Sequence, residues 1–427
     1  MNSKCCGFTA QFISFVDMKN NFDTLIVGGG AAGFFTAVNL AEQNSGHSIL
    51  ILERGKKVLN KVRISGGGRC NVTHAKFEPR ELAQSYPRGE RELLGPFHQF
   101  MTGDTMAWFE ERGVELKIEE DGRVFPTSDD SETIISCLVD QAKSKGVEIR
   151  TQENVLDFHK KTNGWELETK TNTYFCDNLI IATGSSPKIW RHLEKLNHSV
   201  VSAVPSLFTF NCKDERISTL AGIATHAEVC IPSKNLTYDG PLLVTHWGFS
   251  GPGILKLSAW GARKLNAIDY QFELKINWIP DYSTEKLIEI LQGFKASKGK
   301  KQPSATPLFE LPKRLWQKLV ASAGIETSEK WGDLSKAKIQ NLAKALCESN
   351  FQIDGKSTFK EEFVTAGGIE LKEVNFKTFE SKLHPNLYFA GEVLNIDAIT
   401  GGFNFQNAWS GGYLIAKALS KKLEKGS

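Results

Sequence analysis

The chain has 427 residues, of which 41% are hydrophobic and 24% are charged, and its formal net charge is +3. This composition is typical of a globular protein of two or three domains, and so small a charge does not by itself indicate nucleic-acid binding. The eight cysteines form no CxxC pair and no apolar run reaches about 18 residues. Reduced thiols in a cytoplasmic protein are therefore expected, without a metal site or a membrane span.

Residues 1–18 end at a second methionine, Met18, and the residues before it are weakly apolar. They lack the apolar core and the small-residue cleavage site of a signal peptide. We expect them to be an upstream extension with little order, outside the folded domains.

The first motif is "DTLIVGGGAAGFFTAVNLAEQ", in which an apolar strand, Leu25 to Val27, runs through a glycine turn into a helical pattern. In such a motif the first glycine permits the turn, the second lets the backbone approach a pyrophosphate, and the third allows close helix–strand packing. The helix N-terminus then offers free N–H groups to the phosphates. The candidate cofactor contacts here are Gly28, Gly30, Ala31, Ala32 and Gly33.

A second buried strand, "SILILERG", ends in Glu53 and Arg54. Glu53 lies 25 residues after Gly28, where an acidic residue binds the ribose hydroxyls of an adenosine. The alternative is a chance glycine turn followed by a surface glutamate. The order strand, helix, strand, acid favours a dinucleotide site.

The stretch "KVRISGGGRCNVTH" contains three consecutive glycines directly before an arginine, a thiol and an amide. Small residues let the backbone pass close to a ligand with its N–H groups available. We expect this loop to form a wall of the cofactor site, along the part of the cofactor beyond the pyrophosphate. Its candidate contacts are Lys61, Gly66, Gly67, Gly68, Arg69, Cys70 and Asn71.

Three side chains of this loop have alternative interpretations. Arg69 and Lys61 are candidates for charge contacts to the cofactor, or else a solvated basic pair. Cys70 beside Arg69 could be a thiol of depressed pKa, but a small filler residue in a packed glycine loop is favoured.

The middle of the first half predicts a helix at "SETIISCLVDQAKSKG", then a β-meander with a hairpin turn at Asn163-Gly164, and then an apolar strand, Leu179 to Ile181. This order resembles the FAD domain of the glutathione-reductase and hydroxybenzoate-hydroxylase type. There the meander replaces a crossover helix and the turn after the strand passes near the dinucleotide. The residues assigned to the cofactor here are Val155, Ala182, Thr183 and Gly184.

A third signal lies near the C-terminus, in "NLYFAGEVLNIDAITGGFNFQNAWSGGYLIAKAL". A short strand, Leu387 to Ala390, leads to a Gly-Glu turn, and a helix is predicted from about Asn404 to Leu419. In FAD enzymes of this type the acid holds the ribityl chain or a phosphate-linked water, and the helix N-terminus stabilises the reduced flavin. The candidates are Gly391, Glu392, Asp397, Gly401, Gly402, Phe403, Asn404 and Phe405.

The strings "SGGGRCNVTH", "GRVFPTSDDSETI", "THWGFSGPGIL", "TAGGI" and "AGEVLNIDAITGGFNFQNAWSGG" occur in this order. Together they resemble a bacterial family of FAD-binding oxidoreductases that includes aminoacetone-oxidase-like and bile-acid-inducible flavoproteins. The resemblance implies an α/β fold with non-covalent FAD in a Rossmann-like domain built from both chain ends, 19–198 and 364–427. It also implies an inserted substrate domain, 199–363, that is part β-barrel and part helical.

The expected activity is hydride or electron transfer between bound flavin and a small organic substrate, with NAD(P)H as a transient donor. The sequence has no second complete glycine-rich unit, and Cys70 lacks the CxxxxC partner of disulfide reductases. No catalytic residue is predicted. His226 and His246 are candidate acids or bases, although single histidines in β-rich segments are usually structural. Arg123 and Phe125 either line the pocket near the flavin or have only a packing role.

Two other functions remain open. A tRNA-modifying flavoprotein predicts a basic face and aromatic platforms in the insertion, where the cluster from Lys295 to Lys301 is more simply a solvated loop. A non-catalytic FAD-binding protein would keep the cofactor motifs alone. A hydrolase is disfavoured because "WGFSGPG" lacks the nucleophile-elbow spacing. Nucleic acid is thus not the expected partner, and the oligomeric state is not indicated.

Overall fold

The computed structural model describes residues 20–357 and 364–426; the extension predicted at residues 1–18 lies outside them. The first part of the chain has the predicted order of strand, helix, strand, helix and meander. Its elements are β1 (Asn21–Val27), α1 (Ala31–Gln43), β2 (Ile49–Glu53), α2 (Asn60–Ile64), β3 (Thr73–His74), α3 (Pro79–Ala83), α4 (Glu90–Phe97), α5 (Thr102–Glu110), β4 (Leu116–Ile118), β5 (Arg123–Pro126), α6 (Ser131–Ser144), β6 (Glu148–Thr151), β7 (Asp157–Lys161), β8 (Gly164–Glu168), β9 (Thr173–Ile181) and α7 (Pro187–Lys195).

The middle of the chain is β-rich and then helical, as its composition predicts. Its elements are β10 (Val200–Ser206), β11 (Thr209–Asn211), β12 (Ala224–Ile231), β13 (Leu236–Val244), β14 (Gly248–Ser250), α8 (Pro252–Asn266), β15 (Gln271–Asn277), α9 (Thr284–Ser297), α10 (Lys313–Ser322), α11 (Lys336–Cys347), β16 (Ser349–Asp354) and β17 (Lys356–Ser357). The last part contains β18 (Val364–Ile369), β19 (Val374–Asn375), β20 (Glu380–Ser381), β21 (Leu387–Phe389) and α12 (Phe403–Gly426).

The main sheet combines strands from both ends of the chain. Its central strands run in the order β21-β9-β1-β2-β6 and are all parallel. Such strands are buried on both faces, which is why "LIV", "ILIL" and "LII" read as continuous apolar runs. β7 and β8 form the predicted antiparallel meander onto β9. The Rossmann-like α/β fold predicted from the sequence is therefore confirmed.

The middle of the chain forms a separate antiparallel sheet in the order β16-β15-β12-β13-β14-β11-β17. Within the described residues, no ladder joins β16 to β17, so the predicted closure into a barrel is not confirmed. A two-stranded ladder of β10 and β18 lies beside this sheet.

Buried apolar side chains divide into two clusters. One combines the main sheet with α1, α6 and α12 and includes Phe35 and Trp409, whose rings are 5.1 Å apart. The other lies between the antiparallel sheet and helices α8 to α11 and includes Trp278 and Trp316. These two cores are the physical basis on which we propose the division into 19–198 plus 364–427 and 199–363.

Candidate cofactor-binding site

A cleft of about 630 Å³ lies where β1, β2, β9 and β21 reach their carboxyl ends, the edge at which open α/β sheets bind ligands. The antiparallel sheet of the insertion closes its other side. Most of the residues predicted to bind the cofactor line this cleft, namely Gly28, Gly30, Ala31, Ala32, Glu53, Arg54, Lys61, Gly66, Gly67, Asn71, Ala182, Thr183, Gly184, Gly391, Glu392, Gly401, Gly402, Asn404 and Phe405.

The three glycines of the first motif have different roles. Gly28 has φ +114°, and a Cβ there would lie 2.4 Å from the Ala182 carbonyl oxygen of the neighbouring strand. A Cβ on Gly33 would lie 2.1 Å from the Gly28 carbonyl oxygen, so α1 can approach β1 only without it. A Cβ on Gly30 would meet nothing within 4 Å, because this residue faces the open cleft.

The N-terminus of α1 is arranged for an anion. Its N-cap, Gly30, has no side-chain cap and its first turn has no acidic residue, so the first-turn N–H groups are available to a phosphate. Glu53 is fixed beside it, since its two carboxylate oxygens accept from the Gly29 and Gly55 amides at 2.9 and 2.7 Å. The carboxylate still has lone pairs for ribose hydroxyls.

The third motif meets α2 beside the first turn of α1, where a Cβ on Gly391 would lie 3.4 Å from the Ala32 side chain. Lys61 on α2 donates to Glu392 Oε2 at 2.5 Å, although the two residues are 331 positions apart. Glu392 follows β21, and the first turn of α12 lines the same cleft with Asn404 and Phe405. A positive helix end there favours negative charge on a bound group.

Glycine is required in the Gly66–Gly68 run both by the backbone conformation and, at Gly66, by the lack of room for a Cβ atom. Gly66, Gly67 and Gly68 have φ values of +57°, +70° and +88°, in the left-handed region that other residues rarely adopt. A Cβ on Gly66 would lie 2.9 Å from the Phe125 ring, while Gly67 is open toward the cleft. Gly66 and Gly67 therefore form part of the cleft wall, whereas Gly68 lies outside the cleft lining. Their contact with the cofactor stays a prediction.

Arg69 and Cys70, both predicted as cofactor contacts, do not line the cleft. The Arg69 guanidinium pairs with Glu119 at 2.6 Å and Asp129 at 3.3 Å and lies 3.9 Å from the centre of the Phe125 ring. These partners turn it away from the cleft. Cys70 is fully buried, and burial raises the pKa of its thiol to about 12. This environment agrees with the filler role and not with a reactive thiolate.

Asp397 also lies outside the cleft lining, contrary to the prediction. It is fully buried, and Arg88 donates to both of its carboxylate oxygens, with Nε–Oδ1 at 2.5 Å. Ser206 of β10 donates to Oδ2 at 2.7 Å, and Arg88 donates to the Ala259 carbonyl of α8 at 2.7 Å. Asp397 therefore connects the main-sheet core to the insertion.

The remaining predicted residues that do not line the cleft are packed behind it or lie near its edge. Gly33 lies behind the first turn of α1, as described above. Phe403 is buried, with its ring 4.5 Å from that of His74. Val155 lines a second, smaller cleft. Two residues before it, the Glu153 amide donates to the Glu53 carbonyl at 3.0 Å. Neither His226 nor His246 lines the main cleft, but Arg123 does.

Several lining residues had not been predicted. The lining residues between Gly55 and Ser65 could have been predicted, because they join Glu53 to the glycine run in sequence. The lining residues of the insertion carry no local motif, and only the tertiary fold brings them to the cleft. The insertion contributes Leu207, Thr209, Ser250, Leu255 and Ser357.

The cleft fits a dinucleotide flavin in its chemistry. It combines a free helix N-terminus, an oriented acid and the Lys61–Glu392 ion pair. The Ser185 hydroxyl, which belongs to the lining, is buried and makes no hydrogen bond within the described chain. Over the same residues there is no cluster of His, Cys, Asp or Glu that could hold a metal ion. Fold and cleft together define a FAD-binding flavoprotein of the Rossmann type.

The chain belongs to the HI0933-like Rossmann-domain family, whose model matches residues 22–418, and the family resemblance noted in the sequence is confirmed. It is 30% identical over 411 residues to a ribosomal RNA dihydrouridine synthase of Escherichia coli K12, covering 93% of this chain and 98% of that one. It is 25% identical over 410 residues to a 3-dehydro-bile acid delta(4,6)-reductase of Clostridium scindens, with the same coverages.

One solved structure supports the fold alone. The 3-ketosteroid-delta4-(5alpha)-dehydrogenase of Rhodococcus jostii RHA1 superposes with a TM-score of 0.50 at 12% identity, covering 94% of this chain and 98% of that one. No helix in the described part of the chain is long and apolar enough to cross a membrane.

Gly67→Val tests the role of the glycine loop. A branched side chain at φ +70° would both strain the loop and enter the cleft. We therefore expect FAD affinity to fall at least about tenfold, which corresponds to a loss of about 1.4 kcal/mol of binding free energy. Gly113→Val is the matched control, with φ +78°, no neighbour within 4 Å and no place in the cleft. Equal flavin content in both variants, measured by absorbance after dialysis, would show that the loop serves another purpose.

Proposed function

We propose that this protein is a flavin-dependent reductase that saturates a carbon–carbon double bond conjugated to a carbonyl, and that its substrate is a uracil base of ribosomal RNA. The observation that carries the proposal is the similarity over almost the whole chain to two ribosomal RNA dihydrouridine synthases. The second, from Haemophilus influenzae, is 29% identical over 419 residues and covers 95% of this chain.

The names of the relatives share one chemistry. Dihydrouridine is formed when the C5–C6 double bond of uracil, conjugated to the C4 carbonyl, takes up a hydride and a proton. A 3-dehydro-delta(4,6) bile acid likewise carries double bonds conjugated to its 3-oxo group. Bound FAD would supply the hydride in either case, and we propose NAD(P)H as the donor that reduces it.

The walls of the cleft suit a flat heterocycle. Leu207 and Leu255 of the insertion offer apolar surface, and Ser250 offers a hydroxyl. The Thr209 and Ser357 hydroxyls also line the cleft but already donate to the Ser357 carbonyl and to Asn211 Oδ1. A uracil has apolar faces and an edge of carbonyls and an N–H, and it needs both kinds of contact. The base would reach the cleft only after leaving its stack in the RNA.

A second candidate is the reduction of a small α,β-unsaturated carbonyl compound, in a cytoplasmic enzyme that uses NAD(P)H. The similarity to the bile-acid reductase, 25% over 93% of the chain, favours it, as does the net charge of +3, which is small for an RNA-binding protein.

The test combines the purified holoprotein with NADH or NADPH and with ribosomal RNA transcribed without modifications. After digestion to nucleosides, mass spectrometry is expected to find dihydrouridine, about 2 Da heavier than uridine. Parallel reactions contain free uridine, a steroidal 4-en-3-one, or protein stripped of FAD. The stripped protein is expected to be inactive.

Each outcome separates the candidates. Reduction of the enone without any dihydrouridine would favour the second candidate. Flavin that stays oxidised with both nicotinamides, yet turns over after reduction by dithionite, would remove NAD(P)H as the donor. Reduced flavin that transfers nothing to any of the three substrates would contradict the proposed reaction.

A further inference from the structure

One face of α8 carries a regular row of basic and aromatic side chains. Lys256, Trp260 and Lys264 are spaced four residues apart, so successive helical turns bring them to the same side. Trp260 is 40% exposed, although a large aromatic is usually buried, and Lys264 is exposed as well. At 1.5 Å per residue the row is about 12 Å long. We call these three residues the α8 ridge.

The α8 ridge starts at the mouth of the cleft. Leu255, directly before Lys256, lines the cleft wall. The His74 ring lies 3.1 Å from the carbonyl oxygen of Gly401, another lining residue. Burial lowers the pKa of His74, and the positive charges of Lys76 and Lys256 also lower it, whereas the Gly401 carbonyl and Asp121 raise it.

The lysines of the ridge are not neutralised. Within the described part of the chain, neither Lys256 nor Lys264 has a carboxylate within 4.0 Å. Lys264 donates to the Lys234 carbonyl at 3.2 Å, and the Lys256 ammonium lies 5.3 Å from the centre of the Tyr238 ring. Positive charge left unpaired on a surface attracts a polyanion.

The arginines across the cleft differ in this respect. Arg123 pairs with Glu119 and Asp121, and Arg69 pairs with Glu119 and Asp129. Unlike the ridge, that rim of the cleft carries its own counter-charges. The charge distribution therefore favours an anionic partner on the α8 side.

We propose that the α8 ridge binds the single-stranded segment of ribosomal RNA next to the target uridine, with Trp260 stacking on a base and the two lysines contacting phosphates. This inference rests on the proposed function. Sequence-tolerant binding of single strands commonly combines a basic track with aromatic stacking. An extruded base needs such support for its neighbours, since its own stacking has been lost.

The test measures the affinity of the holoprotein for a fluorescein-labelled 20-nucleotide oligouridine by anisotropy, between 50 and 200 mM salt. Trp260→Ala is expected to weaken binding about tenfold, within the range for loss of one stacking contact. The double variant Lys256→Glu/Lys264→Glu is expected to reduce the slope of log affinity against log salt by about 1.4, since each phosphate contact on a single strand contributes about 0.7. Trp260→Phe is expected to retain most of the affinity.

The control is the double variant Lys300→Glu/Lys301→Glu, which makes the same charge change at exposed lysines after α9. Its affinity should fall less than that of the ridge variant. Flavin content and reduction by NADPH show that each variant is folded. Equal affinity in wild type and ridge variants, an equal loss in the control, or no binding by the wild type at 50 mM salt would overturn the proposal.

Failure of the proposed function would look different. Wild-type protein that binds oligouridine through the ridge but forms no dihydrouridine would contradict the uracil substrate and leave the RNA-binding ridge in place. Dihydrouridine formation with the same KM for RNA in the ridge variants would contradict the ridge alone.

Discussion

Replacing Asp397 by alanine is expected to lower the free energy of unfolding by about 3–5 kcal/mol, because it leaves the charge of Arg88 uncompensated at a mostly buried position. The Ser206 hydroxyl loses its acceptor in the same substitution. The measurement is urea unfolding of wild type and variant at saturating FAD. Because Asp397 does not line the cleft, the FAD affinity of the folded variant is expected to stay within about threefold.

The double variant Arg88→Leu/Asp397→Leu is the control for this pair. Without either charge, part of the lost stability should return, as happens when buried ion pairs are replaced by apolar residues. A variant Asp397→Ala that unfolds like wild type but loses flavin would show that the carboxylate contacts the cofactor after all, as the sequence predicted.

Gly33→Ala is expected to destabilise the main-sheet domain by about 1–3 kcal/mol and to weaken FAD binding at least about tenfold. A single methyl group there would meet the Gly28 carbonyl oxygen at 2.1 Å. Since that atom belongs to the backbone, α1 must move away from β1 and carry its first-turn N–H groups out of position. Thermal unfolding and fluorescence titration with FAD measure the two effects.

The matched control is Gly293→Ala in α9, where a Cβ meets nothing within 4 Å. In an exposed helix, alanine in place of glycine should raise stability by up to about 1 kcal/mol without changing flavin affinity. Normal FAD binding by Gly33→Ala would mean that the helix adjusts to the methyl group without displacing the phosphates.

The sequence predicted the parts of the site whose chemistry is local. Gly28 and Gly30 could be assigned because the motif needs a turn and an open approach at fixed spacing, and Glu53 because a strand end places an acid beside that turn. The pairing of Lys61 with Glu392 was not foreseen as a contact. Both residues were predicted for the cofactor, but nothing in the sequence indicates that α2 lies against the end of β21.

Residues whose orientation depends on distant partners were predicted less well. Arg69 follows the glycine wall directly, yet Glu119 in the β4–β5 turn and Asp129 between β5 and α6 hold its guanidinium outside the cleft. Asp397 lies between two glycine turns that do line the site, but Arg88 and Ser206 bind its carboxylate elsewhere. For both Arg69 and Asp397, ion pairs with residues of other elements determine where the side chain points.

The sequence by itself determined the class of cofactor and the fold that holds it, because glycine turns, buried strands and helix starts are recognisable from spacing and residue type. Only the tertiary structure decided which residues of the insertion face the cleft and where unpaired positive charge gathers. Leu207 and Leu255, and the row from Lys256 to Lys264, carry no motif of their own. Their positions follow from packing between segments far apart in the chain, which local residue patterns do not encode.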